Sequence, residues 1–156
     1  MATSLKETLM GNLLNRFNLL SGQLVWLRVF QNEPFKRWIM DLVRQDQLFK
    51  KGIDEDGDVI GEYSEYTEML NPSKVAGTHY TLYDSGEFYN SFVIFVGNQM
   101  FEIEADTVKM ESENWWVMNS ITKNAILGLT DENKTKLAIE VKKRYIKEAR
   151  LLLGIG

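Results

Sequence analysis

The C-terminal stretch constrains the fold more than any other part of the chain. Thr130-Asp131-Glu132-Asn133 has the composition of a helix cap and first turn, and Leu137, Ala138, Val141, Tyr145, Ala149 and Leu152 then recur at helical spacing until Gly154 supplies a stop. The opposite face carries Glu140, Lys142, Lys143 and Lys147, so this helix is not buried all round. One apolar stripe of that length has to be covered by other elements of a core.

The elements that cover it are signalled upstream. Phe101, Ile103 and Ala105 alternate with Glu102, Glu104 and Asp106, the period of a strand with one buried and one wet face. A second strand is expected from Glu87 to Val96, joined to this one (Gln99 to Asp106) through Gly97-Asn98. The Asp56-Gly57 pair between Ile53 and Ile60 marks a further small hairpin. These signals predict an α+β domain: an antiparallel sheet from the 53–66 and 87–106 regions, with N-terminal and C-terminal helices packed on it. The alternative is an all-helical bundle carrying one hairpin.

The N-terminal half supplies the other helices. Ser4 and Glu7 form a capping box, followed by Leu5, Leu9, Leu13, Phe17 and Leu20 at helical spacing up to Ser21-Gly22. Leu24 to Phe30 is too short and apolar for periodicity to choose between helix continuation and a short strand. Asn32 is a cap and Pro34 suits a first turn, after which Phe35, Trp38, Ile39, Leu42, Val43 and Phe49 mark one face of a helix ending by Gly52. Residues 71–78 read as a loop. With only two prolines and no linker or repeat, residues 1–156 are expected to form a single domain, long enough to bury roughly 70% of the surface of the unfolded chain.

Composition narrows the function. The net charge of −4 disfavours a nucleic-acid backbone as main partner, and the absence of cysteine removes disulfides, thiolate metal sites and thiol nucleophiles together. No leader pattern and no membrane-length apolar run is visible, so no membrane role is expected.

Candidate chemistry is thin. Asp54, Asp56 and Asp58, with Glu65 at the twelfth position, resemble a calcium loop, but Val59 stands where that loop needs glycine and Gly57 comes too early. The Asp-Gly hairpin explains the same residues more simply. His79 is the single histidine, expected as polar loop surface. The carboxylate runs Glu62, Glu65, Glu68 and Glu102, Glu104, Asp106 read as solvated faces. No nucleophile, zinc, phosphate-loop or dinucleotide motif is present. We therefore expect no enzyme, no catalytic set, no cofactor and no metal, the runner-up being a small enzyme or calcium-dependent binding module built on Asp54, Asp56, Asp58 and Glu65. The adjacent Trp115 and Trp116 have no periodicity to bury both, and tryptophan is enriched at binding hot spots.

Leu82-Tyr83-Asp84-Ser85-Gly86-Glu87-Phe88-Tyr89-Asn90-Ser91-Phe92 resembles the L-x-D-T/S-G-x-L-x-x-S-hydrophobic motif of small tailed-phage virion-morphogenesis and tail-completion proteins, with Ser85 for the commoner Thr and Phe88 for Leu. The likeness spans roughly residues 80 to 156. Gly52 to Ser64 and Ile126 to Asn133 are also similar to segments of proteins from phages and prophages of gut Bacteroidota. The resemblance implies a structural protein of the head-tail connector, collar or tail. It would form a ring of identical copies around the DNA exit path, contacting portal, connector or tail proteins in the virion after assembly in the host cytoplasm. Asp84, Ser85 and Gly86 would then be a structural turn leading into the main strands, and Phe88 and Tyr89 interface residues; Trp115 and Trp116 are expected at a subunit contact because tryptophan is enriched at hot spots and no periodicity buries both.

Overall fold

Side-chain caps at Ser21 and Asn32 set where two helices of the N-terminal half begin. In this computed structural model, which describes residues 9–98, 100–109 and 125–155, α1 spans Leu9–Leu19 and α2 Gly22–Phe30. The Ser21 Oγ accepts the Leu24 N–H at 3.1 Å, so Leu24 to Phe30 belongs to a new helix rather than a strand. The Ser4–Glu7 capping box lies outside the described residues. α3, Glu33–Asp41, is capped by Asn32, whose Oδ1 accepts the Phe35 N–H at 2.9 Å, with Pro34 in the first turn.

From Leu42 to Phe49 the helix continues in the wider π form. The change corrects the expected face. An α-helical period carries Phe49 inward, but the buried positions are Leu42, Val43, Gln47 and Leu48, two pairs five residues apart, while Phe49 is exposed. Hydrogen bonding from i to i+5 rotates the chain less per residue, so Leu48 turns inward beneath Val43 and Phe49 turns out, with Gln47 also enclosed.

Ser64 caps α4, Glu65–Leu70, a short helix within the region where the sheet was expected to begin. The segments on either side make single bridges only, Ile53 to Val59 and Glu62 to His79. The strand expected from Glu87 is also shorter than its pattern. Glu87–Asn90 is one helical turn, α5, and only Val93–Val96 (β1) pairs antiparallel with Phe101–Glu104 (β2), with Val93 opposite Glu104 and Val96 opposite Phe101. The long C-terminal helix α6 runs Asp131–Leu153, from the Thr130 cap to Gly154, which takes the left-handed conformation at φ 73°. The class is α+β, with N-terminal and C-terminal helices and, among the described residues, one two-stranded antiparallel sheet. That sheet is smaller than the central one expected.

One cluster of buried side chains joins these elements, with Phe30, Phe35, Ile39, Val43, Leu48, Leu82, Phe88 and Ile126 fully enclosed. Phe30 sits at its centre, its ring 5.5 Å from Phe35 and 5.2 Å from Phe101, so α2, α3 and β2 meet on one side chain. A buried polar node closes the far side. Gln47 donates to the Gly128 carbonyl and accepts from Thr130 N–H and Asn133 Nδ2, all at 2.9 Å, and Asn133 also donates to the Leu42 carbonyl at 3.0 Å. Buried amides are tolerated when their groups are paired in this way, and the node fixes the start of α6 on the π segment.

Candidate interaction surfaces

The Asp84-Ser85-Gly86 turn is built as its residue types dictate. Gly86 takes φ 87°, a left-handed conformation that side chains disfavour, and the Ser85 Oγ accepts the Glu87 N–H at 3.2 Å. This chemistry starts a helix as readily as a strand, and the Asn90 N–H closes back on the Gly86 carbonyl at 2.9 Å. The turn therefore leads into α5 before it reaches β1.

Helix α5 turns Phe88 and Tyr89 inward, which corrects their assignment as contact residues. They are 0% and 4% exposed, and the Tyr89 hydroxyl donates to the Thr81 carbonyl. Burial pushes the Tyr89 phenol far above its ordinary range. Trp115 and Trp116, the other pair expected at a contact, lie outside the described residues.

The acidic loop has the geometry of the hairpin. Asp54 Oδ1 accepts the N–H groups of Asp56 and Asp58, both at 3.0 Å, and Gly57 turns the chain at φ 88°. Glu65 opens α4, and among the described residues no three His, Asp or Glu side chains are grouped as ion ligands.

His79 is a structural latch rather than loop surface. Its Nε2–H donates to the Phe49 carbonyl at 3.0 Å, and its ring lies against Gly52, where a Cβ would meet it at 2.4 Å. Lys74 gave no signal in the sequence beyond its place in a loop, yet it is 5% exposed. Its ammonium donates to the Tyr83 carbonyl and stands 5.4 Å from the Tyr63 ring centroid. A lysine in a loop looks the same in one dimension whether it is solvated or folded under.

The outward surfaces differ in character. Glu102 and Glu104 on β2 share an exposed face with Val93 and Phe95 on β1, an acidic strand face with an apolar partner strand. Lys142, Lys143 and Lys147 are exposed on α6 and make a basic helix face. Between β2 and the first half of α6 runs an open groove of about 810 Å³, floored by Leu127, Leu129, Leu137 and Val141 and edged by Glu55 and Lys134. At the other end of the chain α1 leaves its apolar stripe uncovered, with Met10 and Phe17 each 62% and Leu14 49% exposed. Helix α1 touches the rest of the chain at the end of α6, where the Arg16 Nη1 donates to the Leu153 carbonyl at 3.3 Å.

Among the described residues no helix is long and apolar enough to cross a membrane. No protein-family model matches this chain, and no curated protein or solved structure is detectably similar to it.

Proposed function

We propose that this chain is a non-enzymatic structural protein of a tailed-phage particle, placed at the head-tail interface or in the collar or tail. Identical copies assemble as a ring around the DNA exit path and contact portal, connector or tail proteins. The observation that carries the reading is the separation of opposite charge onto two faces of one chain, Glu102 and Glu104 on β2 and Lys142, Lys143 and Lys147 on α6. A ring of one protein needs two different complementary surfaces on every copy, and an acidic face meeting a basic face of the next copy meets that requirement. The turn at Asp84 to Gly86 and the order of sheet and final helix support it through their likeness to tail-completion proteins.

Light scattering on the purified protein tests the assembly. Oligomers larger than a dimer are expected at low ionic strength, and they should weaken as salt shortens the Debye length from ~10 Å at 0.1 M to ~3 Å at 1 M. Mass spectrometry of purified particles tests the location. A protein monomeric both alone and with its neighbouring virion proteins, and absent from particles, refutes the reading.

A further inference from the structure

We infer that neighbouring copies, which the proposed ring requires, meet helix on sheet: α6 of one copy lies along β2 of the next, with an apolar centre inside the two charged faces. The exposed positions of α6 form one stripe, Ile139, Lys142, Lys143, Ile146, Lys147 and Arg150, at helical spacing. Two isoleucines thus sit among four cations. On the sheet, the register sets Val93 beside Glu104 and Phe95 beside Glu102, all four exposed, and Met100 follows at the hairpin end. Val93, Phe95, Met100, Ile139 and Ile146 are between 44% and 66% exposed. Single apolar side chains are ordinary on a surface. Groups of them inside a charged face, with the opposite charge on the other face, match the apolar core and polar rim of an interface.

The charges are available to a partner. Glu102, Glu104 and Lys147 have no ion pair among the described residues, and Lys143 has only Glu140 at 3.8 Å. Their spacings agree. Lys143 and Lys147 stand ~6 Å apart at 1.5 Å per helical residue, and Glu102 and Glu104 ~6.8 Å apart at 3.4 Å per strand residue. Both pairs therefore close together when the helix lies alongside β2. The apolar residues choose its direction. Ile139 lies ~9 Å ahead of the midpoint of the two lysines, and Met100 ~10 Å ahead of the midpoint of the two glutamates. Beyond the other end of the strand stands Asp106. The helix therefore runs the same way as β2, with Lys143 on Glu102, Lys147 on Glu104, Ile146 level with Val93 and Phe95, and Ile139 reaching Met100. Neither face receives its own copy, because glutamate would meet glutamate and lysine would meet lysine. The contact is head-to-tail rather than two-fold.

Charge reversal in the full chain tests the pairing. Wild type should sediment as oligomers at low ionic strength. Glu102→Lys with Glu104→Lys, and separately Lys143→Glu with Lys147→Glu, should each weaken association by about a hundredfold or more, because like charges then face each other. An equimolar mixture of the two variants should restore it, since each supplies the face that the other lacks. All four positions are exposed, so the variants keep their fold, which circular dichroism checks. Phe95→Ser tests the apolar centre without touching charge. It should weaken association by about tenfold, and Tyr66→Ser, similarly exposed on α4, should not. A wild-type monomer, reversed variants that associate like wild type, a mixture no better than its parts, or equal effects of Phe95→Ser and Tyr66→Ser overturns the inference. Mass spectrometry of particles separates this contact from the proposed function. If the protein is found in particles but the mixture does not recover, the contact falls and the location stands; if the mixture recovers but the protein is absent from particles, the contact stands and the location falls.

Discussion

Replacing Gln47 by leucine tests whether the buried polar node holds α6 to the helix ahead of it. The substitution keeps the size of the side chain and removes three hydrogen bonds of 2.9 Å, to the Gly128 carbonyl, the Thr130 N–H and Asn133 Nδ2. Asn133 keeps its bond to the Leu42 carbonyl, so two groups rather than three lose this partner outright. Each buried group left unpaired costs about 1–3 kcal/mol, and the added apolar burial returns about 1–2 kcal/mol, for a net loss of about 3 kcal/mol. For a domain of this size that corresponds to a fall in Tm of roughly 6–12 °C. Urea unfolding followed by far-ultraviolet circular dichroism gives the free energy directly, with Gln45→Leu as control because Gln45 is exposed in the same helical segment. The control should stay within about 0.5 kcal/mol of wild type. If Gln47→Leu does too, the node contributes specificity or nothing, and the argument that it anchors α6 is wrong.

The same geometry sets three further outcomes. Gly52→Ala should destabilise by about 2 kcal/mol or more in thermal unfolding, because Gly52 holds φ 59° and its Cβ would enter the His79 ring; a loss under about 0.5 kcal/mol would refute the packing of His79. The Glu132 carboxyl is pushed down to about 2 by hydrogen bonds from Lys136 and Lys51. A depressed carboxyl stabilises the fold above its ordinary value near 4.5, and that contribution is lost as pH falls through about 2. The Tm difference between wild type and Glu132→Gln should therefore be full at neutral pH and shrink steadily below pH 4.5, and a difference independent of pH sinks the assignment. Tyr89 is buried with its hydroxyl on the Thr81 carbonyl, so its phenol should not ionise in alkaline absorbance titration until the chain unfolds; titration of every tyrosine before unfolding would contradict its burial.

The sequence by itself determined each choice that local chemistry settles. The Thr130 cap and Gly154 stop bound α6, the Asn32 cap and Pro34 start α3, and the alternation from Phe101 to Asp106 reappears as half-buried and exposed positions. The turn at Asp84 to Gly86 and the hairpin at Asp56-Gly57 were legible for the same reason, since at both the left-handed position is held by a glycine. The element after the first of those turns was not legible, because a serine before a glycine and a glutamate satisfies the start of a helix and of a strand alike. Only tertiary structure decided that Glu87 to Asn90 coil, which sent Phe88 and Tyr89 into the core and shortened the following strand to Val93–Val96. The π register from Leu42 to Phe49 was likewise decided in three dimensions. Burying Gln47 is favourable only because Gly128, Thr130 and Asn133 arrive from the other end of the sequence to pair with it, and no local pattern carries that information. The exposed stripe on α1 divides the same way: its period is written in Leu9, Met10, Leu13, Leu14 and Phe17, but whether the rest of the chain covers it depends on where α6 ends.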